Sequence, residues 1–316
     1  MGKASRTKVE VTRREKIAAQ RAAAKRAEQR RRILIAGGSI LAVIIIIVAF
    51  IVIKASSSPS KPATATSSAN GPTGSALASV VAKVASVPAS TLNSVGDGGS
   101  AVSNTPQTIK GSATALTSGG KPEMLYMGAE YCPYCAAERW SMIVALNRFG
   151  TFSGLATVHS GIKNGAGDAE PDPSTPTWTF ANAKYTSKYL TFTSVEMQTN
   201  IPDASNGSYT TLQTPTAAQN TLIDKYDVAP YTTENGAIPF IDFDNKYLII
   251  GASYDPGLLS GLSWSTVATD LSHPSSPVAQ AIDGTANYIT AAICKMTGNQ
   301  PASACTSVVQ SLESKI

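Results

Sequence analysis

The chain has 316 residues, 43% of them hydrophobic and 15% charged, with a formal net charge of +5. That length holds one sizeable domain plus accessory segments, and the composition excludes both a disulfide-held mini-protein and a wholly disordered chain. The positive charge is local: residues 1–32 carry 12 Lys+Arg against 3 Asp+Glu, and the other 284 residues carry 14 against 18. The body therefore lacks the basic face that nucleic-acid binding needs, and no nucleic-acid partner is expected.

In chain order, the basic segment 1–32 comes first. Residues 33–53 (ILIAGGSILAVIIIIVAFIVI) contain no charge. At about 1.5 Å per residue such a helix matches a hydrocarbon core of about 30 Å. The run is longer than the apolar part of a cleaved signal peptide, so one retained transmembrane helix is expected. Arg30, Arg31 and Arg32 abut it, which predicts a cytoplasmic N-terminus and an extracytoplasmic remainder. Residues 54–76, rich in Ser, Pro, Ala and Thr, read as a flexible linker that cannot bury a core. The folded domain is then expected over 77–316.

Within that domain Leu77 to Val87 has helical spacing and stops at Pro88. A Gly/Ser-rich stretch follows to about Asn104. Met124 to Gly128 (MLYMG) reads as a buried strand leading into Cys132-Pro133-Tyr134-Cys135, and Ala136 to Phe149 reads as a helix ending at Gly150. Strands are expected at Leu155–His159, Thr177–Phe180 and Tyr189–Met197, with a loop over Ile162–Pro176. Thr216 to Tyr226 reads as a helix. Ala237 to Phe243 and Lys246 to Gly251 flank Asp244-Asn245 as a hairpin, with Pro239 at the head of its first strand. A Ser/Pro-containing connection precedes an apolar helix, Val278 to Met296.

The order strand–CxxC–helix–strand, closed by Pro–strand–turn–strand, resembles the thioredoxin fold over roughly Thr108 to Ala252. More narrowly, GAEYCPYCAAERW (Gly128 to Trp140), IPFIDF and ICKMTGNQPASAC resemble an uncharacterised prokaryotic family, domain of unknown function 929. The resemblance implies an α/β, thioredoxin-like domain: a mixed central sheet flanked by helices, with insertions and a C-terminal helical hairpin. It further implies that Pro239 is cis beside the cysteines and that the Ile238 backbone receives a substrate strand. The family supplies no established activity.

The chemistry rests on cysteines. An extracytoplasmic setting permits disulfides. Cys132 at a helix start would have its thiolate stabilised by free N–H groups and the helix dipole, and would be the exposed nucleophile. Pro133 suits the first helical turn. Cys135, one turn in, would be the resolving thiol. Three readings of the pair stand: a redox centre, an inert disulfide, and part of a zinc site. The last lacks ligands, since Cys294 and Cys305 are widely spaced and only His159 and His273 exist. Cys294 and Cys305 are expected to form a structural disulfide across a helical turn, the alternative being an electron relay to Cys132–Cys135.

Tyr131, Pro133, Tyr134, Ile238 and Pro239 make the expected substrate surface. Glu130 is the candidate for proton transfer, its bland alternative being a solvated loop carboxylate. Arg139 is expected on the surface beside an acid such as Glu138 or Glu196, and Trp140 in the core. The combined expectation is a membrane-anchored thiol–disulfide oxidoreductase acting on extracytoplasmic protein thiols and disulfides. It would need no metal or organic cofactor and would be recycled by a membrane electron-transfer partner. The rival expectation is a non-catalytic envelope scaffold whose insertions, Ile162–Pro215 and Tyr254–Pro277, bind a partner.

Overall fold

The computed structural model describes residues 71–316. The basic segment 1–32, the apolar run 33–53 and the linker as far as residue 70 lie outside the described residues.

Two helices open the described chain, α1 (Gly74–Ala85) and α2 (Ala89–Val95), separated at Pro88. Gly74, Ser75 and Ala76, read as the end of the linker, are therefore helical. Short strands β1 (Gln107–Thr108) and β2 (Thr117–Ser118) lead to the long β3 (Lys121–Gly128) and to α3 (Pro133–Leu146). Then come β4 (Gly150–Ser153), β5 (Ala156–His159), β6 (Pro176–Thr179), β7 (Lys184–Ser187) and β8 (Thr191–Glu196). The hairpin β9 (Gln198–Asp203) and β10 (Ser208–Thr211) precedes α4 (Ala217–Tyr226). Strands β11 (Phe240–Phe243) and β12 (Tyr247–Ile250) are followed by α5 (Trp264–Asp270), α6 (Pro277–Thr297) and α7 (Ser307–Leu312).

The main sheet has the order β1-β12-β11-β3-β2, with β8 also paired to β3. It is mixed: β8 runs parallel to β3, and the other neighbours are antiparallel. Strand side chains alternate between two apolar clusters, as a period of two requires. Met124, Tyr126, Ile241, Phe243 and Ile249 join the larger cluster with α3 and α6. Leu125, Met127, Phe240, Leu248 and Ile250 join the smaller one, where Tyr226, Leu222 and Ile223 of α4 pack. Both faces are thus covered, which explains why Met124–Gly128 of β3 reads as a continuous apolar run rather than an alternating one.

Local chemistry fixes the ends of these elements. Thr216 and Gln219 form a reciprocal capping box at the start of α4. Ser276 caps α6, Pro277 occupies its first turn, and Gly298 at φ +64° ends it. The hairpin turn carries Asp244 and Asn245 at φ +59° and +53°, and the Asn245 N–H donates to Asp242 Oδ1 at 2.7 Å. Asp and Asn tolerate that left-handed backbone better than most residues.

Helix α6 is buried along most of its 21 residues. It lies between α2, α3 and α7, so it is covered on nearly every side. Its Asn287 donates from Nδ2 to the carbonyls of Leu92 and Gly96, both at 2.8 Å, stitching α2 to the core. A disulfide joins Cys294 to Cys305 across the turn between α6 and α7. Among the described residues no single helix is long and apolar enough to cross a membrane.

Two stretches differ from the sequence expectation. The Gly/Ser-rich run before Asn104 contains α2, whose Leu92 and Val95 are buried. The connection from Tyr254 to Pro277 contains α5 and a short 3-10 turn, Pro256–Leu259. Both are short helices stabilised by tertiary burial, which local composition does not report.

Candidate active site

The site is assembled by β3, α3 and β11. Strand β3 runs into the turn Ala129–Tyr131, and Cys132 becomes the N-cap of α3 with extended backbone, φ −71° and ψ 121°. Its Sγ accepts from the Cys135 N–H at 3.3 Å, so the sulfur itself caps the helix. Pro133 occupies the first helical position, where a missing N–H costs nothing. Strand β11 pairs antiparallel with β3, Phe240 opposite Met127, which brings Pro239 to the level of Gly128. The Ile238–Pro239 peptide is cis. The Cys132 thiol faces the Ile238 carbonyl oxygen at 3.6 Å. Two motifs 106 residues apart in sequence thereby meet at one sulfur atom.

A cleft of about 460 Å³ opens over this contact, lined by Tyr131, Cys132, Pro133, Tyr134 and Ile238. Glu170 and Glu234 also line it, and no Lys or Arg does. Tyr131 stacks on Tyr209 at 4.2 Å and 6°, and the Tyr209 hydroxyl donates to Glu170 at 3.0 Å. Tyr134 is 43% exposed and is the most open aromatic ring beside the sulfur.

The two cysteines are free thiols in unlike environments. Burial pushes the Cys132 thiol up, but hydrogen bonds from the Cys135 side chain and N–H, with the Arg139 charge, bring it below its ordinary value. Burial drives Cys135 well above its ordinary value; its bond to Cys132 and that neighbour's charge add to this, while Arg139 opposes it. The outer thiol is therefore the easier of the two to ionise.

The family model for DUF929, a domain of unknown function, matches residues 107–295. The chain belongs to the DUF929 family. No curated protein and no solved structure matches it. The DUF929 match encloses Cys132, Cys135, Ile238 and Pro239. It leaves out α1, α2 and the segment that carries Cys305.

Three side chains of this DUF929 domain sit differently from expectation. Cys132 is only 4% exposed, because its thiol is turned onto the Ile238 backbone; its access is through the cleft. Arg139 is fully buried rather than superficial. It makes a bidentate pair with Glu196, at 2.9 and 2.7 Å, and donates to the Ala129 carbonyl at 2.6 Å. Glu130 is buried instead of solvated. Burial raises its pKa, opposed by hydrogen bonds from the Thr179 hydroxyl and a backbone N–H at Asn200.

Glu138, one turn beyond Cys135 and one of the two acids expected beside Arg139, is buried and bonded to Ser253 instead. Its carboxylate accepts from the Ser253 N–H at 2.9 Å and the Ser253 hydroxyl at 3.1 Å. Trp140 is core, its Nε1–H donating to the Pro176 carbonyl at 2.9 Å. Among the described residues no group of His, Cys, Asp and Glu is arranged to hold a metal ion.

Proposed function

We propose that this protein is a membrane-anchored, extracytoplasmic thiol–disulfide oxidoreductase with a thioredoxin-like domain, working through Cys132 and Cys135. The observation that carries the reading is the Cys132 sulfur at the start of α3, in contact with the Ile238 carbonyl at 3.6 Å on the wall of an open cleft. A helix start and an inward-turned backbone carbonyl provide what exchange needs. One stabilises the thiolate, and the other belongs to a strand end beside which an extended substrate can lie.

The chemistry balances as follows. The Cys132 thiolate attacks a substrate disulfide, forming a mixed disulfide and releasing one substrate thiolate. Cys135 then gives up its proton and attacks the Cys132 sulfur. The second substrate thiolate leaves and takes up a proton. Two electrons pass from the cysteine pair to the substrate, and Cys132–Cys135 becomes the disulfide. The reverse sequence oxidises a substrate dithiol. Direction is set by the pair's potential relative to its partners.

Residues 33–53 supply the anchor in the lipid bilayer in this reading, and a membrane electron-transfer partner restores the pair. No metal or organic cofactor takes part. The test is insulin reduction and oxidative refolding by the full-length protein and by Cys132→Ser. Activity in the parent and none in the variant supports the proposal. Equal activity in both overturns it and favours the envelope scaffold.

A further inference from the structure

The inner sulfur has a neighbour that the exchange steps above do not use. Tyr126 lies on β3 two residues before Gly128, on the same face of the sheet. It is fully buried, and its hydroxyl has no hydrogen-bond partner among the described residues. A Cβ on Gly128 would stand 2.2 Å from that hydroxyl oxygen and 2.9 Å from Cys135 Sγ. The hydroxyl and the sulfur therefore both border the space over the bare glycine, which any larger residue would fill. The Arg139 guanidinium lies 5.8 Å from the Tyr126 ring centroid, and its Nη1 is likewise unpartnered among the described residues.

We infer that the Tyr126 hydroxyl is the hydrogen-bond donor to the resolving sulfur, engaged when Cys135 becomes a thiolate. The inference rests on the exchange chemistry proposed above and adds a residue to it. A neutral thiol is a weak acceptor, whereas a thiolate is a strong one. A donor left unpaired beside the resting thiol gains its bond only as charge develops, so it favours the reacting state over the resting state. The proton balance is unchanged: the Cys135 proton leaves for the departing substrate thiolate, and Tyr126 keeps its own. Charged and titratable groups facing this sulfur are Cys132 and Arg139 on α3 and Tyr126 on β3, with Glu196 on β8 paired to Arg139.

The variant Tyr126→Phe removes one oxygen and keeps the ring that meets Phe180 edge-on. The full-length reduced protein is mixed with one equivalent of the neutral chromogen dithiodipyridine. Release of the first thiopyridone reports attack by Cys132, and release of the second reports resolution by Cys135. The expected result is an unchanged first phase in the variant and a second phase slowed roughly ten- to a hundredfold near neutral pH. The pH midpoint of the second phase should rise by about one to two units. Because no partner is lost, the thermal midpoint should stay at or above that of the parent.

An unchanged second phase overturns the inference while leaving the exchange chemistry intact. Equal slowing of both phases, or a fall in thermal midpoint, assigns the hydroxyl a structural role and also overturns it. Absence of the first phase in the parent removes the proposed function itself, and the inference with it.

Discussion

Arg139 and Glu196 face each other as a two-point ion pair with neither side chain exposed, one on the helix behind Cys135 and the other at the end of β8. Taking both charges out of water is costly, and the pair holds only because each satisfies the other. Glu196 Oε1 also accepts from the Phe180 N–H at 3.2 Å. Arg139→Met should destabilise by roughly 3–5 kcal/mol, since it leaves a carboxylate buried and alone. Replacing both partners with Met should cost less than the sum of the single changes. Urea unfolding across the double-mutant cycle checks this.

Glu138 gives the fold a pH dependence opposite to the usual acid response. Burial lifts its pKa to about 7 from an ordinary value of 4.5, against the opposing bonds from Ser253. The folded state therefore binds this proton more tightly than the unfolded state. The contribution is full below the unfolded value and is lost as pH rises through about 7. The loss is roughly 3 kcal/mol. Burial also raises Asp283 to about 8 and Asp242 to about 7, in the same direction. Glu138→Gln should flatten the fall in unfolding free energy between mildly acidic and neutral pH, as chemical denaturation at a series of pH values would show.

The unlike environments of the cysteines make alkylation selective. Cys132 should react with iodoacetamide with an apparent pKa below that of an ordinary thiol, and Cys135 should remain unmodified in the folded protein. Peptide mapping after brief labelling, repeated across pH, reads both expectations.

Acidic groups around the cleft should sort disulfide reagents by charge. Glu170 and Glu234 line it. Asp172, Asp255 and Glu234 act electrostatically on the Tyr134 hydroxyl beside the sulfur. Cystamine, a dication, should oxidise the pair faster than the dianion dithiobis(nitrobenzoate), relative to each reagent's rate with glutathione. Raising the salt concentration should narrow that ratio, since exposed charges are screened within about 10 Å at 0.1 M. A ratio independent of salt would count against the electrostatic account.

The Cys294–Cys305 bridge closes a short loop, with a sequence separation of 11. Replacing both with Ser should lower stability by roughly 3 kcal/mol in the chain-entropy model. The exchange rate of Cys132 should not change. Denaturation midpoints and reagent kinetics on the same variant separate the two effects.

Much of this was legible in the sequence where local rules decide the outcome. The Pro239-headed hairpin was readable because two β-rich runs flank a turn that tolerates left-handed backbone, and the cysteine spacing placed Cys132 at a helix start. Helices α2 and α5 were not readable, because their few apolar residues gain stability only against distant partners such as α6. The buried charges were the larger miss. Nothing in the string AERW distinguishes a surface Glu138 and Arg139 from buried ones; their partners, Ser253 and Glu196, come from remote strands and turns. The Tyr126 hydroxyl was hidden for the same reason, since its neighbour across Gly128 is set by how α3 lies on the sheet.

Asn287 carries a practical lesson about where this protein can be cut. By gripping the Leu92 and Gly96 carbonyls from within α6, it makes α2 part of the same body that bears the cysteines. The stretch recognisable as family, 107–295, is consequently smaller than the stretch that folds. A fragment trimmed to the recognisable borders would strip a layer from α6 and cut one half of the disulfide away from the other.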